Sequence, residues 1–193
     1  MAIRTNNAFP IVTASSAAPS NVALVTHQKL DITRSHQQKS EWCWAACNRM
    51  VLKSFNKNVS QCEAATFLFE EVCCPESDQN DAECNFGCKE GDIKDVYRNF
   101  DIDATFLDRT VRFSTIQREI QDRGRPVQAC VEWDEGGAHV IIIYGWRVDG
   151  SSKFVRIHDS LFGTAEVRFS ELKRYRAQGN WTLTWLGFKE RED

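Results

Sequence analysis

The character of the sequence changes at Gly124-Arg125-Pro126, and this change constrains the fold more than any other feature. Segments before it carry capping residues and apolar residues at helical spacing, which predicts helices at about 40–55, 60–68, 92–100 and 114–123. Segments after it are rich in β-branched and aromatic residues between turns, which predicts strands at 127–133, 138–148, 153–159, 164–169 and 181–188. Helices followed by a series of strands predict an α+β fold with an antiparallel sheet.

Length and composition fit one globular domain with its own hydrophobic core. The chain has 193 residues, of which 42% are hydrophobic and 26% charged, as is ordinary for soluble domains. We expect the domain at residues 34–193, with a helical half at about 40–123 and a sheet half at about 126–190. Residues 1–33 are rich in small polar residues and lack sustained periodicity, so we predict a flexible leader there.

Charge and hydropathy exclude two classes of partner. A net charge of −3 offers no electrostatic footprint for nucleic acid. The longest apolar run, Val140–Tyr144, is far shorter than the roughly 20 residues of a transmembrane helix. The N-terminus has no continuous apolar region of the kind that a Sec signal peptide needs. We therefore expect no membrane span, and either a cytoplasmic location or export by a non-Sec route as a secreted effector, while the oligomeric state stays open.

The segment Glu41-Trp-Cys-Trp-Ala-Ala-Cys47 contains two candidate nucleophiles. With Ser40 as the predicted N-cap, Cys43 lies in the first turn of its helix, where N–H groups and the helix macrodipole stabilise a thiolate. Cys47 lies one turn deeper on the same face, where that field is weaker. We therefore predict that Cys43 is the nucleophile and that Cys47 is structural.

His139 is the candidate general base. It follows Gly136-Gly137-Ala138 and opens an apolar strand, so its ring is held on a rigid element beside a segment without bulky side chains. A core histidine with a purely structural role is the alternative. His27 and His36 precede the first helix and His158 faces away from the candidate site, so we expect these three at the surface.

Asp159 is the candidate orienting group for His139. It ends the strand predicted at 153–159, on the same alternating face as Val155 and Ile157. An unpaired carboxylate on a buried face is costly, and an imidazole N–H is a suitable partner. The alternative is that Asp159 only caps the turn that follows.

Gln37 is the candidate oxyanion donor. It lies six residues before Cys43, a position from which its amide can reach the helix N-terminus where the Cys43 backbone N–H points. Gln38 is the second choice.

Eight cysteines are many for a cytosolic chain of this length. If Cys43 is catalytic, seven remain, and an odd number cannot all pair within one chain. Cys130 lies in an apolar strand pattern and fits a small buried hydrophobic residue. The remaining six permit many pairings, among which the sequence does not choose.

Taken together, Gln37…Cys43-Trp-Ala-Ala, Gly137-Ala-His139-Val-Ile and a strand that ends in Asp159 resemble the papain-like cysteine peptidases of clan CA, over roughly residues 35–188. The Gln…Trp-Cys-Trp-Ala-Ala signature is most similar to the bacterial C39-like and AvrRpt2-like (C70) branch. The resemblance implies a papain-like fold, in which an N-terminal helical half with Cys43 packs on a C-terminal antiparallel sheet with His139 and Asp159. Members often have Asp-Pro where this chain has Asp159-Ser160.

The resemblance implies peptide-bond hydrolysis on a protein or peptide substrate, with no cofactor. Cys43 would attack the carbonyl and form a thioester, His139 would carry the proton, Asp159 would orient His139, and Gln37 with the Cys43 N–H would bind the oxyanion. An acyl transferase or deamidase with the same triad and a catalytically silent binding module are the alternatives.

The resemblance extends to the cysteines at positions 62, 73, 74 and 84, which form disulfides in some members. It therefore implies at least one disulfide within residues 47–88, and an oxidising compartment at some stage. A zinc site and free thiols are the alternatives; the zinc ligands would be Cys73, Cys74, Cys84 and Cys88.

In papain-like peptidases an N-terminal extension can lie in the active-site groove as an inhibitory pro-segment. Here Ala8–Val12 is the one apolar patch of the leader able to occupy a pocket. Composition favours the alternatives, which are a mobile tail or a secretion address.

Overall fold

The computed structural model describes residues 26–74 and 84–192 and gives the chain an α+β architecture. The helices are α1 (Cys43–Ser54), α2 (Gln61–Phe69), α3 (Glu90–Asn99), α4 (Phe113–Gln117), which a π-helical turn at Arg118–Asp122 extends, and α5 (Phe169–Leu172). The strands are β1 (His27–Lys29), β2 (Ile102–Leu107), β3 (Val127–Trp133), β4 (Ala138–Asp149), β5 (Ser152–Asp159), β6 (Gly163–Arg168), β7 (Arg174–Tyr175) and β8 (Gly179–Glu190). The predicted α+β class is confirmed. The predicted leader patch at Ala8–Val12 lies outside the described residues. So does 75–83, the middle of the cysteine loop, by which we mean the segment 73–89 that carries four cysteines and precedes α3.

The strands form one antiparallel sheet in the order β2-β8-β3-β4-β5-β6, with β7 paired to β8. The long strand β4 has two neighbours on one side: residues 138–143 pair with β3, and residues 145–147 pair with β1. Gly145 permits this second contact because it has no side chain. A Cβ atom there would lie 3.0 Å from the Gln28 carbonyl oxygen, which is closer than an ordinary contact. The hairpin from β4 to β5 brings Ile141 opposite Asp159, which places the carboxylate two residues along from His139.

Each face of the sheet has its own apolar layer. The first layer packs α1, α2 and α3 on the sheet and includes Trp44, Cys47, Met50, Val51, Tyr97, Ile142 and Trp185. The second layer packs α4 and its π-helical turn on the alternate residues of the same strands and includes Phe113, Ile116, Ile120, Ile141, Ile143 and Trp146. In the part of the chain that the structure describes, none of the helices has the length and apolar character needed to cross a lipid bilayer.

Parts of the structure differ from the sequence prediction, and one strand, β2 (Ile102–Leu107), was not predicted at all. Helix α1 begins at Cys43 rather than near Ser40, because residues 40–42 form a turn whose Ser40 carbonyl accepts a hydrogen bond from the Gln37 amide at 2.6 Å. Residues 26–33, predicted as leader, lie on the sheet: β1 pairs with β4, and Ile32 is buried in the first apolar layer. The capping box predicted at Ser60 and the strand predicted at 127–133 are confirmed.

His158 is buried, which corrects the prediction that it faces solvent. Its Nε2 atom contacts the Ile32 carbonyl oxygen at 2.7 Å, and its ring stacks on Tyr144 with centroids 4.0 Å apart. Burial lowers the pKa of His158. The chain that precedes α1 covers this side of β5, and the strand pattern alone gives no sign of that cover.

The middle cysteines form two disulfides, Cys62–Cys74 and Cys73–Cys84, which confirms the prediction of at least one disulfide in this region. The zinc alternative does not hold, because three of its four ligands are disulfide sulfurs and a metal needs the thiolate. The fourth, Cys88, is a free thiol. Cys130 is a free buried thiol, as predicted.

Alkylation of the denatured, unreduced protein is expected to modify four of the eight cysteines, because four are free and four are paired. Intact-mass measurement before and after reduction counts the two classes. Peptide mapping should recover all four paired cysteines in one cross-linked fragment, because Cys73 and Cys74 are adjacent in the chain. Eight modified cysteines without reduction would contradict the two pairings.

Candidate active site

Cys43 is the first residue of α1 and lines a cleft of about 460 Å³ between the helical half and the β3–β4 end of the sheet. The thiol is half-buried and free. At the first position of a helix, backbone N–H groups without intrahelical acceptors surround the side chain, and they stabilise negative charge. The fold therefore presents Cys43, in a partly open position, to whatever enters the cleft.

The two tryptophans that flank Cys43 anchor the cysteine loop to the start of α1. Trp42 Nε1 donates to the Cys84 carbonyl oxygen at 2.6 Å, and Trp44 Nε1 donates to the Phe86 carbonyl oxygen at 3.1 Å. Both indoles are almost fully buried. The Trp-Cys-Trp pattern thus fixes the position of the thiol and builds one wall of the cleft beside it.

His139 is the second residue of β4 and lines the same cleft. The turn before it is tight: Gly136 and Gly137 adopt φ of +97° and +79°, a region that strains residues with a Cβ atom. The His139 Nε2 atom lies 2.9 Å from Asp159 Oδ1, so Nδ1 is the ring nitrogen available to Cys43. Burial lowers the pKa of His139, but hydrogen bonds with Asp159 and Cys43 outweigh burial and raise this pKa to about 9.

Asp159 ends β5 and performs both tasks that the sequence offers as alternatives. Its Oδ1 atom accepts from the backbone N–H groups of Leu161 and Phe162, at 2.8 and 2.9 Å, and so caps the turn. The same oxygen contacts His139, while Oδ2 accepts from the Tyr175 hydroxyl at 2.8 Å. Burial raises the pKa of Asp159, but the His139, Phe162 and Tyr175 hydrogen bonds outweigh it and hold this pKa below its usual range. The carboxylate is therefore ionised and fixed in orientation.

Gln37 is buried beside the turn that leads into α1. Its Nε2 atom donates to the carbonyl oxygens of Lys39 and Ser40, at 3.0 and 2.6 Å, and its Oε1 atom accepts from the Ser160 hydroxyl at 2.8 Å. Its role as oxyanion donor stays a prediction. Gln38, the second choice, is exposed.

The sequence matches the Peptidase_C39-like family over residues 29–184, which is most of the chain and includes all four candidate site residues. The chain belongs to this family. It is a papain-like cysteine peptidase, and hence a hydrolase.

Solved structures share the fold of this C39-like peptidase. The peptidase domain of Streptococcus ComA, a bi-functional ABC transporter of a quorum-sensing pathway, superposes with a TM-score of 0.55 at 11% identity, covering 83% of this chain and 99% of that one. A double glycine motif protease from an AMS/PCAT transporter, in complex with a leader peptide, gives 0.50 at 16% identity, covering 84% and 94%. A chain from a study of the mite allergens Blo t 1 and Der p 1 gives 0.55 at 15% identity, covering 92% and 74%. No curated protein matches the sequence.

Cys47 of this C39-like peptidase does not line the cleft. It is fully buried, and its thiol donates to the Val140 carbonyl oxygen at 3.2 Å. Burial, with a smaller contribution from Cys43, raises the pKa of Cys47 well above its ordinary value. Of the two thiols in the segment, only Cys43 borders the cleft.

Sequence reasoning missed three side chains that support the site. Tyr175 holds Asp159, and Trp133 stacks on the rings of both His139 and Tyr175, with centroids 5.9 and 6.3 Å away. Ser160 holds Gln37, and its position directly after Asp159 was the available signal. No local signal marks Tyr175, because its strand is two residues long.

Proposed function

We propose that this peptidase hydrolyses peptide bonds through a thioester formed on Cys43, with His139 as acid and base and Asp159 as orienting group. The observation that carries the proposal is the continuous set of hydrogen bonds from Cys43 through His139 to Asp159 at the edge of one open cleft. A cysteine nucleophile needs a partner for its proton and a third group that fixes that partner. These three side chains have the chemistry that those tasks require.

The steps follow from the protonation states of the site. With a pKa of about 9, His139 carries its second proton at neutral pH, and this imidazolium stabilises the Cys43 thiolate beside it. The thiolate adds to the substrate carbonyl, and His139 gives its proton to the departing amine. The neutral imidazole then takes a proton from water, which attacks the thioester and releases the acid. Asp159 stays ionised throughout and holds the Nε2 side of the ring.

The oxyanion would be stabilised at the start of α1. The backbone N–H of Cys43 is the first of the helix, so no carbonyl of a preceding helical turn accepts its hydrogen bond. Gln37 would supply the second donor by exchanging one of its bonds to the Lys39 and Ser40 carbonyls for the substrate oxygen. The Ser160 hydroxyl donates to Gln37 Oε1 and so holds the other end of the amide in place.

The value of kcat/KM is expected to fall as the pH rises through about 9, because deprotonated His139 has no proton for the leaving amine. The Asp159 hydrogen bond raises this pKa, so Asp159→Asn should move the alkaline limb down toward the ordinary value of 6.5. Rates on a quenched fluorescent peptide from about pH 5 to about pH 10 give the alkaline limb of each protein. Asp122→Asn, which neutralises an exposed carboxylate after α4, is the matched control. The same alkaline limb in all three proteins would refute the role of Asp159.

The cleft favours peptides with basic side chains near the scissile bond. Among the described residues that line it, the acidic side chains are Glu41, Glu90 and Glu132; none is lysine or arginine, and the cation is His139 itself. Apolar side chains, among them Leu183 and Trp185, also line the cleft and suit the methylene groups of a long cation. The AMS/PCAT protease was solved with a leader peptide, which supports a peptide as the substrate class.

A charge-balanced peptide library is therefore expected to show cleavage enriched near lysine and arginine. Glu132→Gln should weaken the preference about two- to fivefold, the size of a solvent-exposed ion pair, whereas Asp122→Gln should leave it unchanged. Mass spectrometry of the products gives the cleavage sites, and it also separates hydrolysis from acyl transfer, which would add the mass of an amine. Equal cleavage around acidic and basic residues would contradict the charge argument.

A further inference from the structure

We propose that Cys88 is a redox modification site, which closes the active site reversibly by forming a disulfide with Cys43. The proposal rests on the proposed function in one respect, since it takes Cys43 to be the reactive thiol. The observation that supports it is a set of hydrogen bonds between the cysteine loop and the start of α1.

Three hydrogen bonds tie residues 84–86 around Cys43. Besides the two indole bonds from Trp42 and Trp44, the Glu41 backbone N–H donates to Asn85 Oδ1 at 3.0 Å. The three donors all lie within two residues of Cys43, and the acceptors are three consecutive residues. Cys88 follows two residues after the last of them, so the loop delivers its thiol to the neighbourhood of Cys43.

Cys88 lines the same cleft as Cys43, and both thiols are free and half-buried. The segment between the anchored residue 86 and α3, which begins at Glu90, has no regular secondary structure and contains Gly87. A Cβ atom at Gly87 would have nothing within 4 Å, so this part of the backbone is not packed tightly. The segment can therefore shift to give the short Cα separation that a disulfide requires without breaking a strand or a helix.

The other two free thiols are poorer partners. Cys130 borders the cleft but lies in the middle of β3, held by β4 on one side and β8 on the other. Cys47 is buried, and its thiol donates a hydrogen bond to the Val140 carbonyl oxygen. It also belongs to the same rigid helix as Cys43. Of the three, only Cys88 has a backbone outside the regular elements.

The reaction takes two steps and one peroxide oxidant. The Cys43 thiolate attacks an oxygen of hydrogen peroxide; an S–O bond forms, the O–O bond breaks, and hydroxide leaves and takes up a proton as water. Cys88 then loses its proton and attacks the sulfur of this sulfenic acid, so that an S–S bond forms, the S–O bond breaks and a second water leaves. The two thiols are oxidised by two electrons in total, and the peroxide is reduced.

The electrostatics set the order of the steps. Burial, and then the charge of Cys43, raise the pKa of Cys88 well above its ordinary value, so Cys88 is not the thiol that meets peroxide first. When Cys43 becomes an uncharged sulfenic acid, the second of these effects disappears. Deprotonation of Cys88 is then easier at the moment when its thiolate is needed.

The test uses the full chain with its two structural disulfides intact, exposed to excess hydrogen peroxide and then to reduced glutathione. We expect peroxide to lower the activity of the wild-type enzyme at least about tenfold, and glutathione to restore most of the initial activity. Its alkylatable thiols should fall from four to two, with a mapped Cys43–Cys88 peptide. Cys88→Ser should not recover, because the unprotected sulfenic acid proceeds to sulfinic acid, which glutathione does not reduce. Cys130→Ser should recover like wild type.

A cross-link from Cys43 to Cys130 or Cys47, or equal recovery of wild type and Cys88→Ser, would overturn the proposal. Its failure is separate from that of the proposed function. The latter fails if untreated Cys43→Ala hydrolyses peptides, whereas the cross-link is read by mass and needs no turnover.

Discussion

Peptide hydrolysis by the Cys43→Ala variant is expected to fall by at least about 10⁴-fold in kcat, because no other described side chain combines a nucleophilic atom with the His139 hydrogen bond. The thiol is half-buried, so a methyl group in its place should change the free energy of unfolding by less than about 1 kcal/mol. Quenched fluorescent peptides measure the first effect, and urea unfolding measures the second.

Cys47→Ala is the matched control for this variant. It removes a thiol four residues later in the same helix, which bonds to the Val140 carbonyl and does not border the cleft. We expect it to lower stability while the folded enzyme keeps its activity. If Cys43→Ala retained hydrolysis and Cys47→Ala lost it, the assignment of the nucleophile would be wrong.

The His139→Ala variant is expected to lose nearly as much activity, again on the order of 10⁴-fold, for a different reason. The nucleophile remains, but the imidazolium that stabilises the thiolate and protonates the leaving amine is gone. Two measurements separate these effects: hydrolysis of the peptide, and the rate at which iodoacetamide modifies Cys43 near neutral pH. We expect both to fall in His139→Ala.

His27→Ala is its control, because this histidine is exposed on β1, away from the residues that line the cleft. An unchanged alkylation rate in His139→Ala, together with lost hydrolysis, would show that His139 does not stabilise the thiolate before substrate binds. That result would contradict the imidazolium–thiolate pair.

The sequence predicts the sheet half of this fold well because its signals are local. The β-branched and aromatic residues of these segments and the turn after Val148 place β4 and β5 side by side, and the register then brings the end of β5 to the start of β4. The pairing of His139 with Asp159 follows from this hairpin. Likewise the capping box at Ser60 is contained within four residues and fixes the start of α2.

What the sequence does not predict depends on contacts between distant segments. The strands β1 and β7 have three and two residues, too few for a periodic signal, yet Ile32, which follows β1, contacts His158 and β7 brings Tyr175 to Asp159. The disulfide partners depend on how α2 and the cysteine loop pack. Helix α1 starts at Cys43 because the Gln37 amide holds the turn before it, a bond that the N-cap preference of Ser40 does not reveal.

The central claim is that a thioester forms on Cys43, and the most direct test is to trap it. A reaction with an activated peptide ester, quenched in acid within the first turnovers, should leave the acyl group on one residue, identified by intact mass and peptide mapping. We predict an adduct on Cys43 in wild type and none in Cys43→Ala. An adduct on another residue, or continued turnover of the ester by Cys43→Ala, would contradict the account.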